Sequence, residues 1–111
     1  MRKVKVKICG LKRAQDIECV NKLLPDYIGF VFAKTKREVT EQQAAQLKAM
    51  LNPQIKAVGV FVNAEIDLIA RLAASRTIDI IQLHGDEDAA YCERLRLQTE
   101  LPIIKAVRVK D

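Results

Sequence analysis

The chain has little glycine or proline and no tryptophan: four Gly and three Pro in 111 residues. Collagen-like, low-complexity and disordered chains need more of these residues or far fewer apolar ones, and half of this chain is hydrophobic. No apolar run approaches the roughly 18 residues that cross a bilayer, so no membrane span is expected. The basic start, Met1-Arg2-Lys3-Val4-Lys5, has no apolar stretch behind it and does not read as a secretory signal. Cysteine is scarce and odd in number, and Cys9, Cys19 and Cys92 contain no CxxC spacing. Neither a disulfide framework nor a metal site is expected, and a reducing, cytoplasmic setting is the default. The net charge of +5 comes without an arginine-rich tract, a zinc finger or an aromatic RNA-binding segment. It suits an anionic small molecule or a lysine-rich surface rather than nucleic acid. The length is that of one domain, residues 1–111, with one modest core.

What is present is alternation. Five short runs rich in Val, Ile and Phe, at 4–9, 27–32, 57–62, 78–84 and 103–109, read as strands. Helical periodicity fills the gaps. Ala14, Ile17, Val20 and Leu24 share one face of the first helix. Thr40 and Gln43 form a capping box before Ala44, Leu47 and Leu51, and Asn52-Pro53 stops that helix. Asn63 is placed to cap the third helix, with Ile66, Ile69, Ala70 and Ala73 inward. Asp86 is placed to cap the fourth, with Ala90 and Leu95 inward. Cys19 and Cys92 lie on these helices and read as packing. The βαβαβαβαβ order implies a parallel sheet. Strand starts about 25 residues apart fit both a (β/α)8 barrel and an open doubly wound sheet.

Alternation along the strands sorts the side chains. Lys7 and Cys9 share a face; so do Ile80, Gln82 and His84, and so do Ile104, Ala106 and Arg108. Cys9, Gln82, His84 and Arg108 therefore gather at strand C-terminal ends, where parallel α/β folds build their sites. Lys34, Lys36 and Arg37 follow the second strand. Each has a plain reading as well. A strand-end cysteine commonly packs as a small hydrophobe, a lone histidine before Gly85-Asp86 commonly fixes a turn, and a charge run is commonly a solvated loop. Cys9 could act as a base or nucleophile where cations such as Lys7 favour its thiolate, and Arg37 could clamp a carboxylate or phosphate. Gly10 and Gly85 read as relief of backbone strain at the turns.

Five motifs together resemble the phosphoribosylanthranilate isomerase family, whose members are (β/α)8 TIM barrels of the tryptophan pathway. They are Lys7-Ile8-Cys9-Gly10-Leu11; Gly29-Phe30-Val31-Phe32 with Lys34-Thr35-Lys36-Arg37; Val58-Gly59-Val60-Phe61; Gln82-Leu83-His84-Gly85; and Ile104-Lys105-Ala106-Val107-Arg108-Val109. The resemblance runs the length of the chain and makes it the N-terminal part of such a barrel, about strands one to five. It implies an Amadori rearrangement of N-(5'-phosphoribosyl)anthranilate to 1-(2-carboxyphenylamino)-1-deoxyribulose 5-phosphate. Cys9 matches the family's general base, Arg37 the arginine on the anthranilate carboxylate side, and Gln82, His84 and Arg108 match pocket positions. The substrate is a phosphorylated small molecule, and neither a cofactor nor a metal is implied.

The family's general acid, an aspartate after the sixth strand, and its phosphate loops after strands seven and eight have no counterpart in these residues. Asp111 follows the fifth strand and does not match that acid. The chain alone is therefore expected to be inactive, since acid–base assistance is typically worth about 10²–10⁴-fold. A full barrel would be monomeric. A truly truncated one would have to pair its open edges with a second copy or a partner. The alternative to an isomerase is thus a non-catalytic half-barrel that dimerises and binds an anionic small molecule.

Overall fold

A computed structural model describes residues 7–105. The elements are β1 (Lys7–Cys9), α1 (Ala14–Leu23), β2 (Tyr27–Val31), α2 (Glu41–Met50), β3 (Lys56–Phe61), α3 (Ile66–Ala74), β4 (Ile80–Leu83), α4 (Ala89–Arg96) and β5 (Ile103–Lys105). The five predicted strands and four predicted helices are all present; the predicted extensions of the first strand to 4–6 and of the fifth to 106–109 lie outside the described residues.

The strands pair in chain order, β1-β2-β3-β4-β5, and every pairing is parallel. An order that never reverses is that of a barrel wall; a doubly wound sheet needs a reversal to place helices on both faces. The side chains agree. Ile28, Phe30, Phe32, Ala57, Phe61, Ile81 and Leu83 form one buried face with helix residues Ile17, Val20, Leu47, Ile69, Leu72 and Leu95. Phe32 and Phe61 stack at its upper end, with ring centroids 5.2 Å apart. The opposite face carries Lys7, Cys9 and Ile104, which are exposed, and Gln82, which is half-buried. That face is concave. Lys7 Nζ donates to Gln82 Oε1 at 2.6 Å, from β1 to β4. On a flat sheet those strands would lie about 14 Å apart with their side chains standing perpendicular, so the bond requires the sheet to curl.

The helices start and stop where local chemistry dictates, with corrections. The Thr40–Gln43 capping box forms as expected, each side chain bonding the other's backbone N–H at 3.0 and 2.9 Å. Leu24 does not join the inward face of α1. It adopts the left-handed conformation (φ 51°) as the C-cap, where its N–H reaches Val20 O, and its side chain is exposed. Ala14 and Ala90 are exposed as well, the first at the opening turn of α1 and the second on the outer side of α4. Cys19 is exposed rather than packed, whereas Cys92 lies against the core. Asn63 does not cap α3, whose N-cap is Glu65, and Asp86 does not cap α4, whose N-cap is Asp88 with its carboxylate accepting from Tyr91 N at 2.8 Å.

Candidate active site

The C-terminal end of the sheet collects the predicted residues that the structure describes. Cys9 is the last residue of β1 and sits beside Gly29 in the β1–β2 register. A side chain at Gly29 would run into Cys9 Sγ, so the absence of one is what lets the thiol lie across β2 on the concave face. Gly10 follows with φ +84°, a conformation that glycine adopts without strain. The aliphatic part of Arg37 occupies the space that a Cβ at Gly10 would take. Cys9 and Arg37 are thereby brought to one corner, the first at the end of β1 and the second across the residue that follows it.

Arg37 belongs to an exposed loop, as its charge run suggested. Its end is bonded back to β2, Val39 N to Val31 O at 3.0 Å, and two side chains tether the rest. Lys12 Nζ, from the β1–α1 turn, donates to Lys36 O at 2.9 Å, and Arg37 N donates to Thr35 Oγ1 at 3.1 Å. Gln82 faces the concave side and accepts from Lys7 Nζ. Lys7 thus partners Gln82 on the same surface that carries Cys9. His84 follows β4, is exposed, and has its N–H bonded to Phe61 O at 2.8 Å. Arg108 lies outside the described residues. Gly85 is not in the left-handed region, so relief of strain is not its role.

Sequence reasoning missed the residues beneath His84. Glu87 has no exposed side-chain surface and accepts three hydrogen bonds: from Asn63 N at 2.8 Å, Gly85 N at 2.9 Å and Lys105 Nζ at 2.8 Å. Burial raises its carboxyl, but the bonds from Lys105 and from the amides of Asn63 and Gly85 outweigh it, leaving the group below the ordinary glutamate value. Burial, followed by the nearby Glu87 charge, pushes the Tyr91 hydroxyl up to about 12. That hydroxyl donates to Ala64 O at 2.6 Å. The signals were present in the sequence: a run of three acids, Asp86-Glu87-Asp88, and a lysine inside the apolar fifth strand. Among the described residues no group of three or more His, Cys, Asp or Glu gathers to hold a metal ion, and no helix is long and apolar enough to cross a membrane.

Comparison with known proteins bears on this surface. Residues 6–111 match the family model for N-(5'phosphoribosyl)anthranilate (PRA) isomerase. The N-(5'-phosphoribosyl)anthranilate isomerase of Endomicrobium trichonymphae is 50% identical over 107 residues, covering 96% of this chain and 54% of that protein. The enzyme of the same name from Lachnoclostridium phytofermentans is 51% identical over 108 residues, covering 97% of this chain and 50% of the relative. Among solved structures, monomers generated from the dimeric phosphoribosylanthranilate isomerase of Thermotoga maritima superpose with a TM-score of 0.85 at 34% identity, over 98% of this chain and 56% of that one. The chain spans about half the length of the curated relatives it matches, and its five strands form a partial TIM barrel.

Proposed function

Because the chain belongs to the N-(5'-phosphoribosyl)anthranilate isomerase family, we propose that it supplies the base and the anthranilate side of a pocket for the Amadori rearrangement of N-(5'-phosphoribosyl)anthranilate. In this reading Cys9 takes the proton from C2' of the ring-opened Schiff base, and the rearrangement returns a proton at C1', so no redox partner is needed. Arg37 faces the anthranilate carboxylate, where a guanidinium fork suits a planar anion. Gln82 and His84 line the pocket, and Arg108 is assigned to it by its motif alone. The observation that carries the reading is the joint use of space at the first turn: Gly29 makes room for the Cys9 thiol and Gly10 makes room for Arg37. Residues 1–111 act as one domain, in the cytoplasm, where thiols such as the three free cysteines stay reduced.

The test is titration of the chain with anthranilate, followed by amide chemical shifts. Shifts should centre on Cys9, Arg37, Gln82 and His84, and Arg37→Ala should weaken binding about tenfold, as expected for loss of a hydrogen bond to a charged group. Shifts confined to the helix face would overturn the assignment. The chain by itself should form no product from the full substrate, because the family's acid and phosphate loops match none of its residues. Product formation abolished by Cys9→Ala would refute that inactivity while supporting Cys9 as the base.

A second reading keeps the fold without turnover: two copies cover one another's concave faces. The half-exposed Ile104, which pairs with Gln82 on that face, favours it. Sedimentation at rising concentration tests it, since mutually covered concave faces require a dimer, and a chain that stays monomeric would refute it.

A further inference from the structure

We propose that Glu87 is a positioning residue, whose buried carboxylate ties the end of β3, the His84–Gly85 turn and β5 into one unit and so fixes where His84 stands. The proposal rests on the reading of His84 as a pocket residue. A direct role in proton transfer does not fit Glu87. Its side chain has no exposed surface, and both carboxylate oxygens are taken by donors. What it does instead is bracket the histidine. His84 N is bonded to Phe61 O, and the next amide, Gly85 N, is bonded to Glu87. Without the carboxylate, Gly85 N and Asn63 N lose their shared acceptor, and the turn keeps only Phe61 O on the strand side and the outer bonds from Asp86 N and Lys105 Nζ.

The clasp is reciprocal. Asn63 gives its N–H to Glu87, and its side-chain Oδ1 accepts from Asp86 N at 2.9 Å. The left-handed backbone of Asn63, φ 50°, lets one residue do both, and asparagine is among the few side chains that tolerate it. Lys105 closes the third side by donating to Glu87 and to Gly85 O. The carboxylate at its centre is buried with both oxygens satisfied, and a buried charge with its partners in place favours one arrangement, because each alternative strands a desolvated group.

The experiment compares the wild-type chain with Glu87→Gln and with Ile69→Val, a core truncation on α3. The readouts are melting temperature, the imidazole NMR signals of His84 and affinity for anthranilate. Glu87→Gln should broaden or split the His84 signals and weaken anthranilate binding about tenfold. Ile69→Val should lower the melting temperature and leave both of the others at wild-type values. If Glu87→Gln lowers the melting temperature but leaves the His84 signals and the affinity unchanged, Glu87 merely stabilises the fold and the proposal is overturned. Hydrogen exchange in the wild-type chain is a second check that needs no variant. The Asn63 and Gly85 amides, held by one carboxylate, should be protected together, and rapid exchange of either would overturn the clasp. If the wild-type chain does not bind anthranilate, the pocket reading fails, while the His84 spectra and amide exchange still decide the role of Glu87.

Discussion

The two loops that present Arg37 and His84 are built in opposite ways. The loop after β2 is exposed from Lys34 to Glu38, and its side-chain tethers are a long lysine side chain and a threonine hydroxyl. The loop after β4 is organised around a carboxylate with no exposed surface and three donors. Exposed tethers are worth little because water competes for them, whereas a buried, fully paired charge strongly favours a single geometry. One side of the candidate pocket is therefore preformed, and the side carrying Arg37 is held by exposed side-chain bonds, which suits the proposed role of adjusting to an anion.

The sharpest way to break this contrast is Glu87→Ala. Removing the acceptor leaves the Asn63 and Gly85 amides unpaired at a cost of about 1–3 kcal/mol, which denaturant unfolding would read as a lower midpoint at unchanged slope. A loss below about 1 kcal/mol, the scale of an exposed pair, would make the two loops equivalent. Acid should act in the same place. The folded Glu87 carboxyl titrates below its unfolded value, so as pH falls the unfolded chain binds the proton first. Its contribution should be complete above about pH 4.5 and be lost as pH drops through the lower folded value. Glu87→Gln should flatten that part of the stability–pH curve, and an unchanged curve would mean that another carboxylate sets it. Next in size is Gly10→Ala. A side chain at φ +84° costs about 1–2 kcal/mol, and the new Cβ displaces Arg37, so anthranilate affinity should fall along with stability. A loss of stability without a loss of affinity would separate Gly10 from the pocket. The smallest effect belongs to Lys12→Ala. Stability should change by less than about 0.5 kcal/mol, while amide exchange across 34–38 speeds up.

The sequence made the elements legible because burial imposes a period, about two in strands and 3.6 in helices, and those periods survive without coordinates. The site's upper rim was legible for a related reason: alternation places Cys9, Gln82 and His84 at strand ends. The misreadings cluster where residue type was right and partner was unknown. Asn63 and Asp86 are good capping types, but Asn63 is claimed by Glu87 and by the Asp86 amide, which leaves Glu65 and Asp88 to start their helices. Leu24 fits the helical period yet is itself the residue at which the chain turns left-handed. Glu87 stands between two other acids, and nothing local distinguishes the buried one. Two of its partners are distant in sequence, Lys105 18 residues further on and the Asn63 amide 24 residues back.

Each strand of the sheet bonds first to the strand made just before it. Closing a loop of one βα unit is inexpensive in entropy, because the cost grows only with the logarithm of length, and contacts near in sequence favour rapid folding. During synthesis the sheet can therefore grow one strand at a time, in the order in which the ribosome releases them. The corner holding Cys9 and Arg37 draws only on residues that leave the ribosome before the His84 turn. The curl arrives later, since the Lys7–Gln82 bond joins residues 75 apart and has to wait for the fourth strand.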